Sequence, residues 1–236
     1  MIKAILFDLD GTLLNRDASV EKFINAQYER LNESVGHIPK EKYVSRFIEL
    51  DFRGYIWKDK VYQQMVTEFI ISGLTWQQLL QDYVNHFKEY CIPFPNLHEM
   101  LSTLVNQSIV LGIISNGKEQ FQMDNIKALG IEKYFETILI SEKEDIKKPD
   151  PRIFKKALGQ LTISPKECVF VGDHPINDVK ASKEVGMLGV WKKDSHWEDV
   201  DADFIIQDLM ELTLLIEDIA NKGRVKTSNR ISGNDG

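Results

Sequence analysis

Cysteine is nearly absent from this chain: Cys91 and Cys168 are the two among 236 residues. That excludes a disulfide framework and a paired-cysteine metal site, and two distant thiols suit a reduced, cytoplasmic setting. Long hydrophobic runs are missing too. No stretch reaches the roughly 20 apolar residues of a membrane span, and Asp8 and Asp10 interrupt the apolar opening, which therefore lacks the pattern of a secretory leader. Positive charge is in the minority, with Lys+Arg 29 against Asp+Glu 36 and a net charge of −7 at pH 7. With no long basic run, binding of nucleic acid or an anionic membrane through bulk charge is excluded. There is no Gly-rich Walker loop and no Gly-x-Gly-x-x-Gly fingerprint. The histidines are scattered without ligand spacing.

An apolar fraction of 43% and a charged fraction of 28% describe a globular chain. Its length suits one large domain, or a core carrying a smaller insert. The opening stretch organises the rest. Lys3 to Phe7 reads as a strand buried on both faces, as in a parallel sheet. It runs into Asp8-Leu9-Asp10-Gly11-Thr12, two acids at i and i+2. In an extended backbone that spacing puts both carboxylates on one side. Two acids crowded at a buried strand end repel each other and lose solvation, unless a cation sits between them or one takes a proton.

After Thr12 the periodicity is helical for about eighty residues. Residues 15–92 read as an all-helical, bundle-like insert of four helices, ended by Pro93 and Pro95. Trp57 and Trp76 read as part of its core. From Asn96 short strands alternate with helices, near Ile109–Ile114, Phe135–Ile140, Cys168–Val171, Met187–Trp191 and Asp203–Ile206. A helix is expected over Val179–Val185 and a last one over Leu209–Ala220. The pattern implies an α/β fold, a doubly wound parallel sheet built from residues 1–14 and 93–222. Residues 223–236 are rich in Gly, Ser, Asn and cations and read as a weakly ordered tail. Lys192 and Lys193 read as solvated surface.

In open α/β sheets, ligands bind outside the carboxyl ends of the strands. Here those ends carry Asp8 and Asp10, then Ser115-Asn116-Gly117, then Gly172-Asp173 with Asp178 five residues on. Lys148 lies in a charged loop, held extended by Pro149. Carboxylates without softer ligands suit a hard cation, Mg²⁺ before Zn²⁺. The lysine, the hydroxyl and the backbone N–H groups suit a phosphate.

These motifs resemble those of the haloacid dehalogenase superfamily, in the branch with a helical cap inserted after the first strand. Asp8-Leu9-Asp10-Gly11-Thr12 is similar to the first motif, Ser115-Asn116-Gly117 to the second and Lys148-Pro149-Asp150-Pro151 to the third. Gly172-Asp173-His174-Pro175-Ile176-Asn177-Asp178 is similar to the fourth, and the similarity spans residues 1 to about 220. The resemblance implies Asp8 as nucleophile and Asp10 as general acid and base. It implies that Ser115, Asn116, Gly117 and Lys148 grip the phosphoryl group, with Lys148 catalytic. Asp8, the backbone carbonyl of Asp10, and Asp173 would ligate Mg²⁺, with Asp178 in support. The first strand would be central in the sheet.

The implied reaction is hydrolysis of a small-molecule phosphate ester through an aspartyl phosphate, of the nucleotidase or phosphoglycolate phosphatase kind. Asp10 favours ester cleavage over dehalogenation, since a halide needs no proton to leave. A phosphomutase would keep the same residues, and a non-catalytic binder would not need the acid. In the insert, a mobile lid hinged near Leu14–Asn15 and Ile92–Pro95, Arg53 and Lys58 are candidates to meet a second anionic group. His174, beside Asp173, reads first as a loop-structuring residue. Both monomer and homodimer are compatible with the sequence.

Overall fold

All four residues of β1 (Ala4–Phe7) are buried without exposed surface, so the strand must be covered on both faces. The computed structural model describes residues 1–231, with side chains through residue 221. It divides into two compact units, Met1–Leu14 with the residues from Pro93 onward, and Asn15–Ile92.

The first unit is built on six parallel strands: β1, β2 (Val110–Ser115), β3 (Thr137–Ile140), β4 (Cys168–Gly172), β5 (Leu188–Lys192) and β6 (Phe204–Ile206). Their order is β3-β2-β1-β4-β5-β6, a doubly wound sheet with β1 central. Phe7 lies opposite Ile113 on one side and Val171 on the other. The strand order reverses between β1 and β4, which opens a crevice at their carboxyl ends. Side chains alternate as a strand requires. Ala4 and Leu6 pack with Phe154, Ala157 and Phe170 on one face, leaving Ile5 and Phe7 for the other.

In the second unit, α1 (Arg16–Arg30), the single turn α2 (Asn32–Val35), α3 (Lys40–Asp51), α4 (Lys58–Glu68) and α5 (Trp76–His86) enclose an aromatic core. Phe23 meets Tyr83 edge-on at 5.0 Å between ring centroids, and Phe47 meets Tyr62 at 5.3 Å. Trp57 and Trp76 are half-buried at its margin, not in the core, because the tyrosines fill it. At the centre sits the buried Gln27. Its Oε1 accepts from the hydroxyls of Tyr43 at 3.3 Å and Tyr62 at 2.8 Å, and its Nε2 donates to the Leu79 carbonyl at 3.3 Å and Asp82 Oδ2 at 2.8 Å. A fully satisfied buried amide specifies the packing around it.

The chain then returns to the first unit through α6 (Leu97–Asn106), α7 (Glu119–Ala128), the single turn α8 (Ser141–Glu144) and α9 (Pro151–Leu161). Asp150 caps α9, its Oδ1 accepting from the Arg152 N–H at 2.9 Å, with Pro151 in the first turn. The helix expected over Val179–Val185 begins earlier and differently, as a wide π-helical turn, Pro175–Lys180, that leads into α10 (Ala181–Glu184). The cause lies in the loop: His174 Nδ1 accepts from the N–H groups of Ile176 and Asn177, both at 3.1 Å, while Asp178 is turned inward. The last helix, α11 (Glu211–Ile231), runs past Ala220 and through Gly223. A glycine costs a helix about 1 kcal/mol, too little to stop one already nucleated. The rest of the expected tail, 232–236, lies outside the described residues.

Replacing Gln27 with Leu removes the partner of two buried tyrosine hydroxyls. We expect Gln27→Leu to lower stability by about 3 kcal/mol in denaturant unfolding, against less than about 1 kcal/mol for an exposed substitution such as Lys60→Leu.

Candidate active site

Asp8 continues the line of β1, its N–H donating to the Val171 carbonyl at 2.9 Å. Its side chain therefore enters the crevice between β1 and β4. Lys148 Nζ lies 2.6 Å from Asp8 Oδ1 and 2.7 Å from Asp178 Oδ1, although the pairs are 140 and 30 residues apart in sequence. Asp178 Oδ2 also accepts from the His174 N–H at 3.0 Å. The carboxylates of Asp8, Asp173 and Asp178 all lie within 4.8 Å of one another. Gly11, at φ 81°, makes this crowding feasible, because a Cβ there would collide with Asp173 Oδ2.

The electrostatics follow from two buried acids sharing one ammonium beside a third, half-buried acid. Desolvation by burial pushes the Asp8 carboxyl up to about 7, with Lys148 opposing and Asp178 adding to the rise. Desolvation, with the charges of Asp8 and Asp178, holds Asp173 well above the usual carboxylate range. Burial disfavours the Lys148 charge, but Asp178 and Asp8 outweigh it and raise its pKa. An all-oxygen, excess-negative cluster of this kind fits a hard divalent cation such as Mg²⁺.

Of the residues in the second motif, Ser115 ends β2 and is fully buried. The side chain of Asn116 engages the backbone of Lys148. Its Nδ2 donates to the Lys148 carbonyl and its Oδ1 accepts from the Lys148 N–H, each at 2.9 Å. The side-chain amide thus clamps the backbone that carries the lysine. The Gly117 N–H donates to Ser141 Oγ at 2.9 Å, which ties the motif to the loop before Lys148.

Asp10 stands apart from the carboxylate cluster. Its Oδ2 accepts from Gln122 Nε2 at 2.6 Å, and the same nitrogen lies 2.8 Å from Ser115 Oγ. Gln122 is the main residue that sequence reasoning missed. The signal was faint: a glutamine on the buried stripe of α7, together with Asn125 and Ile126. His174 structures the loop through its Nδ1, as read. Lys192 is not solvated surface. It is 5% exposed, and its Nζ stands 3.3 Å from the centroid of the Phe94 ring. Desolvation lowers its pKa against the pull of Asp173, Asp194 and Asp208.

Arg53 and Lys58 belong to the second unit. Lys58 is buried in an ion pair with Asp51, which Arg16 Nη2 also engages at 2.7 Å. Arg53 is partly exposed, in a left-handed run formed by Phe52, Arg53 and Gly54 at φ 45°, 54° and 89°.

A family model described as haloacid dehalogenase-like hydrolase matches residues 5–191. The glyceraldehyde 3-phosphate phosphatase of Pyrococcus furiosus is 28% identical over 243 residues, covering 92% of this chain and 93% of that one. The phosphoserine phosphatase of Thermus thermophilus is 26% identical over 246 residues, covering 90% and 98%. Among solved structures, the HAD-hydrolase YfnB of Bacillus subtilis, bound to magnesium, shares the fold with a TM-score of 0.72 at 22% identity, covering 91% of this chain and 98% of that chain.

The shared ammonium generates a test in chelator-treated protein. Asp8 has a folded pKa near 7 against an ordinary 3.8, so its ionisation counts in full against the folded state above pH 7, and that penalty shrinks steadily as pH falls from 7 towards 3.8. Removing Lys148 enlarges the penalty. Lys148→Met is therefore expected to cost about 3 kcal/mol at pH 8 and clearly less at pH 5.5, by denaturant unfolding at the two pH values.

Proposed function

The chain belongs to the haloacid dehalogenase-like hydrolase family, and from that membership we propose that it is a magnesium-dependent phosphomonoester hydrolase working through a phosphorylated Asp8. Its substrates are small phosphorylated metabolites. One observation carries the reading: Asp8 in contact with Lys148 and clustered with Asp173 and Asp178, and a second acid, Asp10, two residues on and outside that cluster. The names of the relatives from Pyrococcus furiosus and Thermus thermophilus, both phosphatases of small esters, support the substrate class.

In this reading Asp8, Asp173 and the Asp10 backbone carbonyl hold Mg²⁺, with Asp178 in support. The ion supplies fixed positive charge against the phosphoryl oxygens and favours the ionised form of Asp8. Asp8 attacks phosphorus through its carboxylate, forming a P–O bond as the bond to the ester oxygen breaks. Asp10 gives that oxygen its proton, so the alcohol leaves neutral. Asp10 then takes a proton from water as the water oxygen attacks phosphorus, and the bond to Asp8 breaks to release phosphate. Lys148 and the Ser115 hydroxyl stay in place on the equatorial oxygens throughout, which is where the transition state carries its charge. Dehalogenation needs no proton donor at Asp10, and a binding module needs none either.

Residues 15–92 enter the chain directly after the first acid loop, and we assign them the role of a cap that selects substrate. Arg53 remains the candidate for a second anionic group. Lys58 is tied to Asp51, and its part is to hold the fold of that unit. Two free cysteines are in keeping with a cytoplasmic location.

The test is hydrolysis of p-nitrophenyl phosphate and a panel of metabolite phosphates, with Mg²⁺ and with chelator. Wild type should turn over only with the ion, and Asp8→Asn should lose at least about a thousandfold. Comparable turnover by Asp8→Asn would contradict the mechanism.

A further inference from the structure

Gln122 has no part in the reaction as set out above, yet its amide touches two of the groups that do. It is 2% exposed and lies on the inward stripe of α7. Burying an amide there in place of an aliphatic side chain is costly unless its polar atoms are engaged. They are. Nε2 lies 2.6 Å from Asp10 Oδ2, 2.8 Å from Ser115 Oγ and 3.3 Å from the Asn116 carbonyl. Two N–H bonds serve three acceptors, and the two shortest contacts are the carboxylate and the hydroxyl. The orientation of the amide is set from behind, where Asn125 Nδ2, itself fully buried, donates to Gln122 Oε1 at 3.2 Å. Space for it is made at Gly117, where a Cβ would stand 2.9 Å from Gln122 Cγ.

Two consequences follow from donor and acceptor counting. Because Ser115 Oγ accepts from the amide, its own hydrogen is left to donate outward. Because Asp10 Oδ2 accepts an N–H bond, the carboxyl is fixed in direction. An acid that must meet the leaving oxygen in one half-reaction and water in the next gains most from a fixed direction.

We infer that Gln122 is a positioning residue for proton transfer, its amide joining Asp10 to Ser115 so that protonation of the leaving group depends on it. The inference rests on the phosphatase reading. A role in packing alone would lower stability and slow all substrates alike. A role through Asp10 is selective: esters whose leaving group departs without a proton should be spared.

The experiment compares wild type, Gln122→Met, Gln122→Asn and Asp10→Asn on a series of aryl phosphates, from 2,4-dinitrophenyl to 4-methoxyphenyl phosphate, with Mg²⁺. Methionine keeps the length and removes the donors, and asparagine keeps the amide but withdraws it by one methylene. Both Gln122 variants should lose roughly a hundredfold in kcat on the poorest leaving group and less than about threefold on the dinitrophenyl ester, steepening the leaving-group dependence in the direction of Asp10→Asn. Equal losses across the series, with wild type active, would overturn the inference and leave the phosphatase reading standing. Failure of both Gln122 variants to fold, by circular dichroism, would also overturn it. No hydrolysis of any ester by wild type would overturn both.

Discussion

Three carboxylates crowd the crevice where the sheet reverses its strand order, and Lys148 Nζ bridges two of them at 2.6 and 2.7 Å. At such distances in a dry environment, like charges cannot all ionise without a compensating cation. Desolvation by burial, with Asp178 adding to it, raises the pKa of Asp8 to about 7. One ammonium does not neutralise three acids, so the cluster is built to receive more positive charge. The proposed chemistry draws on the same imbalance, because a carboxylate that attacks a phosphate dianion needs that charge in place beforehand.

The surroundings serve to hold this imbalance. The parallel sheet delivers Asp8, Ser115 and Asp173 to adjacent strand ends, and the wide turn after His174 brings Asp178 inward. Asn116 spends its side chain on the backbone of Lys148, gripping both N–H and carbonyl at 2.9 Å. The lysine that shares two acids is thus fixed at its base as well as at its tip. Asp10 lies outside the cluster, its Oδ2 accepting from Gln122.

Much of this was legible in the sequence for identifiable reasons. An apolar run broken by Asp8 and Asp10 marks a buried strand with acids at its end, and short strands alternating with helices imply the doubly wound sheet that is observed. Asp173 and Asp178 were readable because they follow a strand on one continuous stretch. What escaped depends on contacts that spacing does not encode. Gln122 reaches Asp10 across 112 residues, and on α7 it looks like any polar residue in an amphipathic helix. Lys192 looked like surface because the ring of Phe94, nearly a hundred residues earlier, is what covers its ammonium. Asn116 was placed correctly in the chain, but the partner of its side chain is a backbone that only the fold brings near.

The central claim is that the carboxylate cluster stays partly protonated until a divalent cation arrives. Isothermal titration of chelator-treated wild type with Mg²⁺ at pH 6.5, in buffers of different ionisation enthalpy, measures the protons exchanged on binding. The account predicts net proton release, with affinity rising as pH is raised through 7, because the ion must displace the proton on Asp8 below that value. Binding with no buffer-dependent heat and no change in affinity over that range would contradict it.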